Sequence, residues 1–349
     1  MDLLQTTIKS IPRELDQEAM KKAGEHLDFL LKPQGSFGRM EELLISLAGI
    51  TGEVKPKLEK KAVIMMCADN GVYEEGFHSY PQDITKLIAE LSGNEGIVGG
   101  SVFARFAGAL MVTVDVGVKD NLAGDHIIKK KVRNGTNNIV KGPAMTRLEA
   151  IQAIEIGIDT VNDLVDQGVK IIAVGEAGIC NTTTSAAVLT VLLGNDAAEV
   201  VGRGSGLNDE KLIQKIKIVE QAITLNKPDK NDPLDVLAKV GGLEIAAMVG
   251  CYLAAAARGI PAVIDGFISG TAALIAIKLA PQAKKYLFPS HMSAEQGARK
   301  LLEALEMKPY LTLDMRLGEG TGALLTFNIF DCALKVMEEM GTFADLPQY

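Results

Sequence analysis

The stretch LDMRLGEGTGALL, residues 313–325, places one carboxylate, Glu319, between Gly318 and Gly320, with Arg316 and Leu317 just before them and apolar segments on either side. Glycines this dense bring a backbone close to a neighbour or supply dihedral angles that other residues avoid. A charge kept among them is either a turn residue in water or a working carboxylate beside a bound ligand. In the second case an apolar, partly dry setting raises its pKa towards the range in which it can take a proton.

Other segments carry chemistry of a complementary kind. VGEAGICNTTTSAAVLTVLLG holds Glu176 and Gly178, and then Asn181, Thr182, Thr183, Thr184 and Ser185 at the start of an Ala-rich helix. Free N–H groups at such a helix start bind phosphate or carboxylate, although the same residue types also serve as ordinary caps. VGRGSGLNDEKLIQKIKI sets Arg203 and Gly204 in a glycine-rich loop, offers Asn208 as a helix cap, and puts Lys215 about two turns further on. It reads equally as a surface loop or as part of a site. ADNGVYEEGFHSYPQDITK gathers Tyr73, Phe77, His78 and Tyr80 in a chain with no Trp, which suits a flat ligand; His78 alone reads as a solvated loop residue. Asp265 ends a strand, Ser293 is placed to cap a helix with Glu295 in its first turn, and Glu244 sits where a helix macrodipole favours a carboxylate. Taken singly, those four read as turn, cap and structural residues.

Five short β-rich runs end in glycine and a carboxylate: KAVIMMCADNG, ALMVTVDVGV, VKIIAVGEAGI, GIPAVIDGFI and YLTLDMRLGEG. Helix-periodic stretches separate them, among them ITKLIAELSG, RLEAIQAIEIGIDTVNDLVDQG and DEKLIQKIKIVEQAI, and residues 16–49 are helix-periodic on both sides of a Pro-Gly break. This alternation predicts an α/β domain with a mainly parallel sheet. In such sheets ligands lie outside the carboxyl ends of the strands, so all five tips are expected on one edge.

The balance of 47% hydrophobic and 23% charged residues in a chain of 349 is that of an ordinary globular protein. A formal charge of -8 argues against nucleic acid or an anionic membrane as partner. The apolar run LEIAAMVGCYLAAAARGIPAVI carries Glu244 and Arg258 and reads as a buried helix followed by a strand, not a membrane span. The N-terminus is charged and without an apolar core stretch, and the four cysteines are scattered in apolar or small-residue settings. Reduced, buried thiols in a cytoplasmic protein are therefore expected. The four histidines have no metal-ligand spacing, so no metal is expected.

With these residues laid out, the chain resembles the nicotinate-nucleotide–dimethylbenzimidazole phosphoribosyltransferases of cobamide biosynthesis. The likeness runs through nearly the whole chain, including LLKPQGSFGRMEELLISLAGI, ADNGVYEEGFHSYPQDIT, GTNNIVKGPAMT, VGEAGICNTTTSAA, GRGSGLNDE, SHMSAEQGARKLLEAL and LDMRLGEGTGALL. The resemblance implies transfer of the phosphoribosyl group of nicotinate mononucleotide to an aromatic base, with no metal or cofactor and in a homodimer, a pair of unlike chains being the alternative. It implies a Rossmann-like parallel-sheet domain over 61–324 and a small helical lobe from both chain ends, 1–60 and 325–349. By the same resemblance Glu319, flanked by Gly318 and Gly320, is the proton acceptor. Glu176, Gly178, Asn181, Thr182 and Thr183 belong to the nucleotide-binding loop. Gly204, Lys215 and Arg316 lie near phosphate and nicotinate, and Asp265 and Ser293 are further substrate positions. Tyr80, Ile88 and Leu317 face the acceptor ring, and Tyr80 and Ile88 stand where dimethylbenzimidazole-using members carry smaller or polar side chains. Other family members take adenine, other benzimidazoles or phenols. The rival readings are a nucleoside hydrolase or generic ribosyltransferase, with water or another base as acceptor, and a non-catalytic nucleotide-binding paralogue.

Overall fold

A computed structural model describes residues 3–346, so the first two and last three positions of the expected lobe lie outside the described residues. The chain begins with α1 (Leu3–Ser10), α2 (Gln17–Phe29) and α3 (Arg39–Thr51), followed by β1 (Lys61–Ala68). Next come α4 (Ile84–Glu90), α5 (Gly99–Phe106), β2 (Ala109–Gly117), β3 (Ile127–Lys129), α6 (Arg147–Asp166) and β4 (Ile171–Ala177). After these follow α7 (Asn181–Leu193), α8 (Ala197–Val200), α9 (Asp209–Asn226), α10 (Pro233–Val240) and α11 (Leu243–Ala257). The last elements are β5 (Ala262–Ile264), α12 (Phe267–Leu279), β6 (Leu287–Pro289), α13 (Ala298–Leu305) and α14 (Thr321–Glu339).

The strands form one six-stranded sheet in the order β3-β2-β1-β4-β5-β6, and every pairing is parallel. β1 and β4 are the central strands, and β4 and β5 are buried on both faces, which is why they read as unbroken apolar runs and not as alternating ones. α11 is buried nearly all round and packs between α6 and α12, as its Ala-rich sequence led us to expect. Among the described residues no helix is long and apolar enough to cross a membrane.

The chain leaves β1 towards one edge of the sheet and returns to β4 to build the other. The reversal lies between β1 and β4, the point at which a crevice opens at the carboxyl ends of the strands. Four of the five expected runs are strands. The fifth is not: Tyr310 and Leu311 both donate N–H bonds to Ser290 O at 2.9 Å, and Leu311 makes only an isolated parallel bridge to His291. Asp314 then takes a left-handed φ of 53° and turns the chain off the sheet. β3 and β6, three residues each, are too short to show a period in the sequence.

α2 and α3 pack as a pair, and α14 lies on α3. Leu31 N–H donates to Gly341 O at 2.9 Å, and Leu30 bridges Thr342 in antiparallel fashion, so segments near the two chain ends touch. α1 instead packs on α6 and α11, and α14 runs unbroken through residues 324 and 325. All four cysteines are free thiols. Cys67 and Cys251 are buried, whereas Cys180 is half-buried and Cys332 is exposed on α14, contrary to the expectation that all would be interior.

Candidate active site

A cavity of about 550 Å³ opens at the carboxyl edge of the sheet. Its wall includes Glu319, Gly318, Leu317 and Arg316 from the glycine-rich turn, and Glu176 and Gly178 from the end of β4. Asn181, Thr182 and Thr183 of α7, Gly204, Lys215 of α9, Asp265, Ser293, Tyr80 and Ile88 complete the set expected from the sequence. Gly320 alone stands behind the wall, its N–H donating to Asp265 Oδ2 at 3.2 Å.

Gly318, Glu319 and Gly320 take φ values of 89°, 58° and 75°, a left-handed run that a residue with a Cβ enters at a cost on the order of 1 kcal/mol. Several contacts hold Glu319 there. Its N–H donates to Glu176 O at 3.3 Å, and its Oε2 accepts the Gly100 N–H at 2.7 Å. Asp265, at the end of β5, accepts N–H bonds from Gly320 as above, from Gly322 at 2.7 Å and from Ala323 at 3.2 Å, and so caps α14 from a distant part of the chain. The expected turn role of Asp265 thus becomes that of a clamp on the turn that carries Glu319.

The carboxyl groups are crowded and dry. Burial raises the pKa of Glu319, the Gly100 N–H opposes the rise, and Asp265 adds to it. Burial likewise pushes Asp265 up to about 7 against the pull of its three backbone donors. Glu176 is raised by burial and then by the charges of Asp265, Glu244 and Glu319, while the Asn181 side-chain amide donates to its Oε2. Glu244 is also pushed up to about 7 by burial; Asn70 donates to its Oε1 at 3.0 Å, and among the described residues its Oε2 has no partner. Carboxyl groups this desolvated and mutually repelling have a raised proton affinity, and an ionised member among them is a stronger proton acceptor than a carboxylate in water.

α7 begins at Asn181, with Cys180 as its N-cap at a φ of 71° and no side-chain cap bond. The run of Asn and Thr therefore lies inside the first turn and does not cap it. Thr182 Oγ1 accepts from Lys215 Nζ at 2.9 Å, and the same ammonium donates to Gly202 O at 2.9 Å. Lys215 is 1% exposed, and burial pushes its pKa down to about 8. With two of its three N–H bonds committed, one remains for the cavity, next to the N-terminus of α7. That arrangement suits a phosphate. Asn208 caps α9 as expected, accepting from Lys211 N–H at 2.9 Å.

The aromatic loop forms another part of the wall. His78, half-buried on the cavity wall, stacks on Tyr73 with centroids 3.7 Å apart, and burial lowers its pKa. Tyr80 is half exposed on the cavity wall. Sequence reasoning missed Thr85, Ile179, Phe267 and Ile268 on the wall, and it placed Glu295 in the first turn of a helix. In the structure α13 starts only at Ala298 with Gly297 as N-cap. Ser293 Oγ accepts the Glu295 N–H at 3.3 Å in a local turn, which leaves the Glu295 side chain on the wall.

A family model, DBI_PRT, described as a phosphoribosyltransferase, matches residues 12–346. The nicotinate-nucleotide–dimethylbenzimidazole phosphoribosyltransferase of Acetivibrio thermocellus is 54% identical over 98% of this chain and 97% of its own. That of Ruminiclostridium cellulolyticum is 53% identical over 95% and 94%. A crystal structure of CobT from Thermus thermophilus superposes with a TM-score of 0.89 at 39% identity, covering 94% of this chain and 98% of that one. Matched along nearly its whole length by the family model and by these relatives, the chain belongs to the nicotinate-nucleotide–dimethylbenzimidazole phosphoribosyltransferase family.

Proposed function

We infer that the protein transfers the 5-phosphoribosyl group of nicotinate mononucleotide to 5,6-dimethylbenzimidazole or a related base, giving α-ribazole 5′-phosphate and nicotinate for cobamide nucleotide-loop assembly. The observation that carries the mechanism is Glu319: a buried carboxylate with a raised pKa, its Oε2 held by the Gly100 N–H, on the wall of the cavity.

The pyridinium of the donor is already a good leaving group, so its departure as nicotinate needs no general acid. One ring nitrogen of the base attacks C1′ as the C1′–N bond to nicotinate breaks, and attack on the opposite face turns β into α. The other ring nitrogen then carries the proton that must leave, and Glu319 accepts it. Its negative charge also stabilises the cationic character that develops on the ribose, as carboxylates do in glycoside hydrolysis. Lys215, Thr182, Thr183, Gly178, Gly204 and the α7 N-terminus form the phosphate subsite in this reading, with Asn181 and Glu176 fixing the loop between them. Asp265 positions the turn that carries Glu319. Ser293 and Arg316 face the donor, and Leu317, Tyr80 and Ile88 face the acceptor.

The protein acts in the cytoplasm as a homodimer in this reading. Helices from both chain ends, residues 1–60 and 325–349, form a small lobe beside the sheet domain. A broader acceptor range, including other benzimidazoles, adenine and phenols, is favoured by Tyr80, whose ring lies half exposed on the wall where a flat base would stack. The test is to incubate the protein with nicotinate mononucleotide and a panel of azoles, purines and phenols, and to identify the products by mass. Release of nicotinate at the same rate without any acceptor would replace transferase by hydrolase.

A further inference from the structure

Glu295 differs from the other carboxyl groups of the cavity. Glu319 has Gly100, Glu176 has Asn181 and Asp265 has three backbone N–H groups as donors. Glu295 is 8% exposed, and among the described residues no donor reaches its carboxylate; its Oε2 is buried without a partner. That oxygen is packed on the backbone of Gly202, where an added Cβ would come within 2.2 Å of it. The Gly202 carbonyl in turn accepts from Lys215 Nζ at 2.9 Å. Glu295 is near enough for its charge to raise the pKa of Lys215 against the larger effect of burial, yet the two form no ion pair. Both groups line the same cavity.

A buried carboxylate without donors is costly, and the cost falls when a ligand supplies them. Lys215, already tied to Thr182 and Gly202, offers its remaining proton to an anion and not to Glu295. A ligand that satisfies both must carry an anionic group at one end and hydroxyl donors at the other. A ribose 5-phosphate unit does so: its 2′ and 3′ hydroxyls are adjacent donors on one face of the ring, and a carboxylate can accept both. We propose that Glu295 binds the ribose diol of the donor nucleotide and is the residue by which the enzyme distinguishes ribonucleotides from deoxyribonucleotides. The proposal deepens the reading given under Proposed function and rests on it. It assigns the sugar subsite to a residue outside the glycine-rich turn and the α7 loop.

The test measures dissociation constants by calorimetry without acceptor, so that the easier bond cleavage of deoxyribosides does not enter. The ligands are nicotinate mononucleotide and its 2′-deoxy and 3′-deoxy analogues, and the proteins are the parent and Glu295→Gln, which keeps the shape that Gly202 packs against. Charge-assisted hydroxyl bonds imply that the parent binds the ribonucleotide roughly 10–100-fold more tightly than at least one deoxy analogue. Glu295→Gln should lose that factor on the ribonucleotide and change little on that deoxy analogue. Inorganic phosphate should bind both proteins alike. A parent that binds all three nucleotides equally, or a variant that loses the same factor on every one, overturns the diol assignment and leaves the transferase reading standing. A parent that binds none of them overturns both. The parent's own preference needs no variant, so a misfolded Glu295→Gln does not shelter the proposal.

Discussion

Gly175 of β4 and Gly320 of the turn before α14 meet backbone to backbone: a Cβ on Gly175 would lie 2.2 Å from Gly320 N and 2.6 Å from Gly320 Cα. This contact seats the left-handed Gly318–Glu319–Gly320 turn directly on the central strand whose next residue is Glu176. Neither partner is a flexible side chain that could swing away. Gly175→Ala is therefore expected to cost on the order of 1–3 kcal/mol of stability by overpacking. It is also expected to lower kcat by about 10²-fold, because a displacement near 1 Å of a catalytic group costs that much. Thermal unfolding and steady-state rates measure the two effects. A stable variant with the parent's kcat would mean that the turn tolerates movement and that Glu319 is not held by this contact.

Glu319→Gln should fold, bind nicotinate mononucleotide within a few-fold of the parent, and lose about 10²–10⁴-fold in kcat, the usual contribution of a general base. The pH dependence has a definite sign. A base works ionised, so the parent's kcat/KM should fall as pH drops through the pKa of Glu319, and burial puts that limb above the ordinary carboxylate range. Stability runs the other way. A carboxyl group whose pKa is raised by folding contributes most below its unfolded pKa and loses that contribution as pH rises through the folded one. The Gln variant should therefore gain on the parent in thermal stability as pH is raised. A kcat within a few-fold of the parent's would remove Glu319 from the mechanism.

Much of this site is legible in the sequence because its parts are local. The strand tips, the Asn208 cap and the glycines around Glu319 each depend on a few neighbouring residues. The carboxyl edge of a parallel sheet then brings the tips together without further information. What is not legible depends on contacts between distant segments. Nothing near Asp265 says that it will accept N–H bonds from residues 320–323 of another helix start. The Asn181–Ser185 run looks like a set of caps, but Cys180 takes the left-handed N-cap position, so the helix starts at Asn181, and Asn181, Thr182 and Thr184 meet Glu176, Lys215 and Asn70 instead. Glu295 was misplaced because α13 begins at Ala298, where Gly297 packs closely on Val200, a contact with no trace in the local pattern.

Lys215 supports a prediction on donor binding. Its charged form is disfavoured by burial, and its pKa of about 8 lies below the ordinary lysine value. A neutral amine cannot hold a dianionic 5′-phosphate by charge, so the dissociation constant of nicotinate mononucleotide should rise as pH increases above about 8. Bound phosphate will itself favour the ammonium, which moves the same limb upward in the complex. Lys215→Met should weaken the nucleotide by roughly 10–100-fold, the size of a charge-assisted contact, remove this limb, and leave the KM of the acceptor base within a few-fold. Equal losses for both substrates would indicate that Lys215 only holds α9 against the loop at Gly202.

The acceptor end of the cavity turns on Tyr80. It brings a ring face and a phenolic hydroxyl to the wall, half exposed, while Ile88 on α4 adds an apolar side chain to the same cavity. A flat base held by stacking and apolar contact gains about 0.5–1.5 kcal/mol beyond area burial whatever its heteroatoms. Such a pocket ranks acceptors by shape more than by polar pattern, so a broad range is expected, with benzimidazoles and phenols both accepted. Tyr80→Ser removes the ring, opens space and adds a small polar group, and it should shift preference towards 5,6-dimethylbenzimidazole, whose two methyl groups need the room. The measurement is a competition between equal concentrations of dimethylbenzimidazole and unsubstituted benzimidazole, read as the product ratio for parent and variant. A several-fold rise in the dimethylated product is the expected result. An unchanged ratio would mean that the Tyr80 ring turns to solvent when the base enters, and that selectivity resides with Ile88 and Leu317 instead.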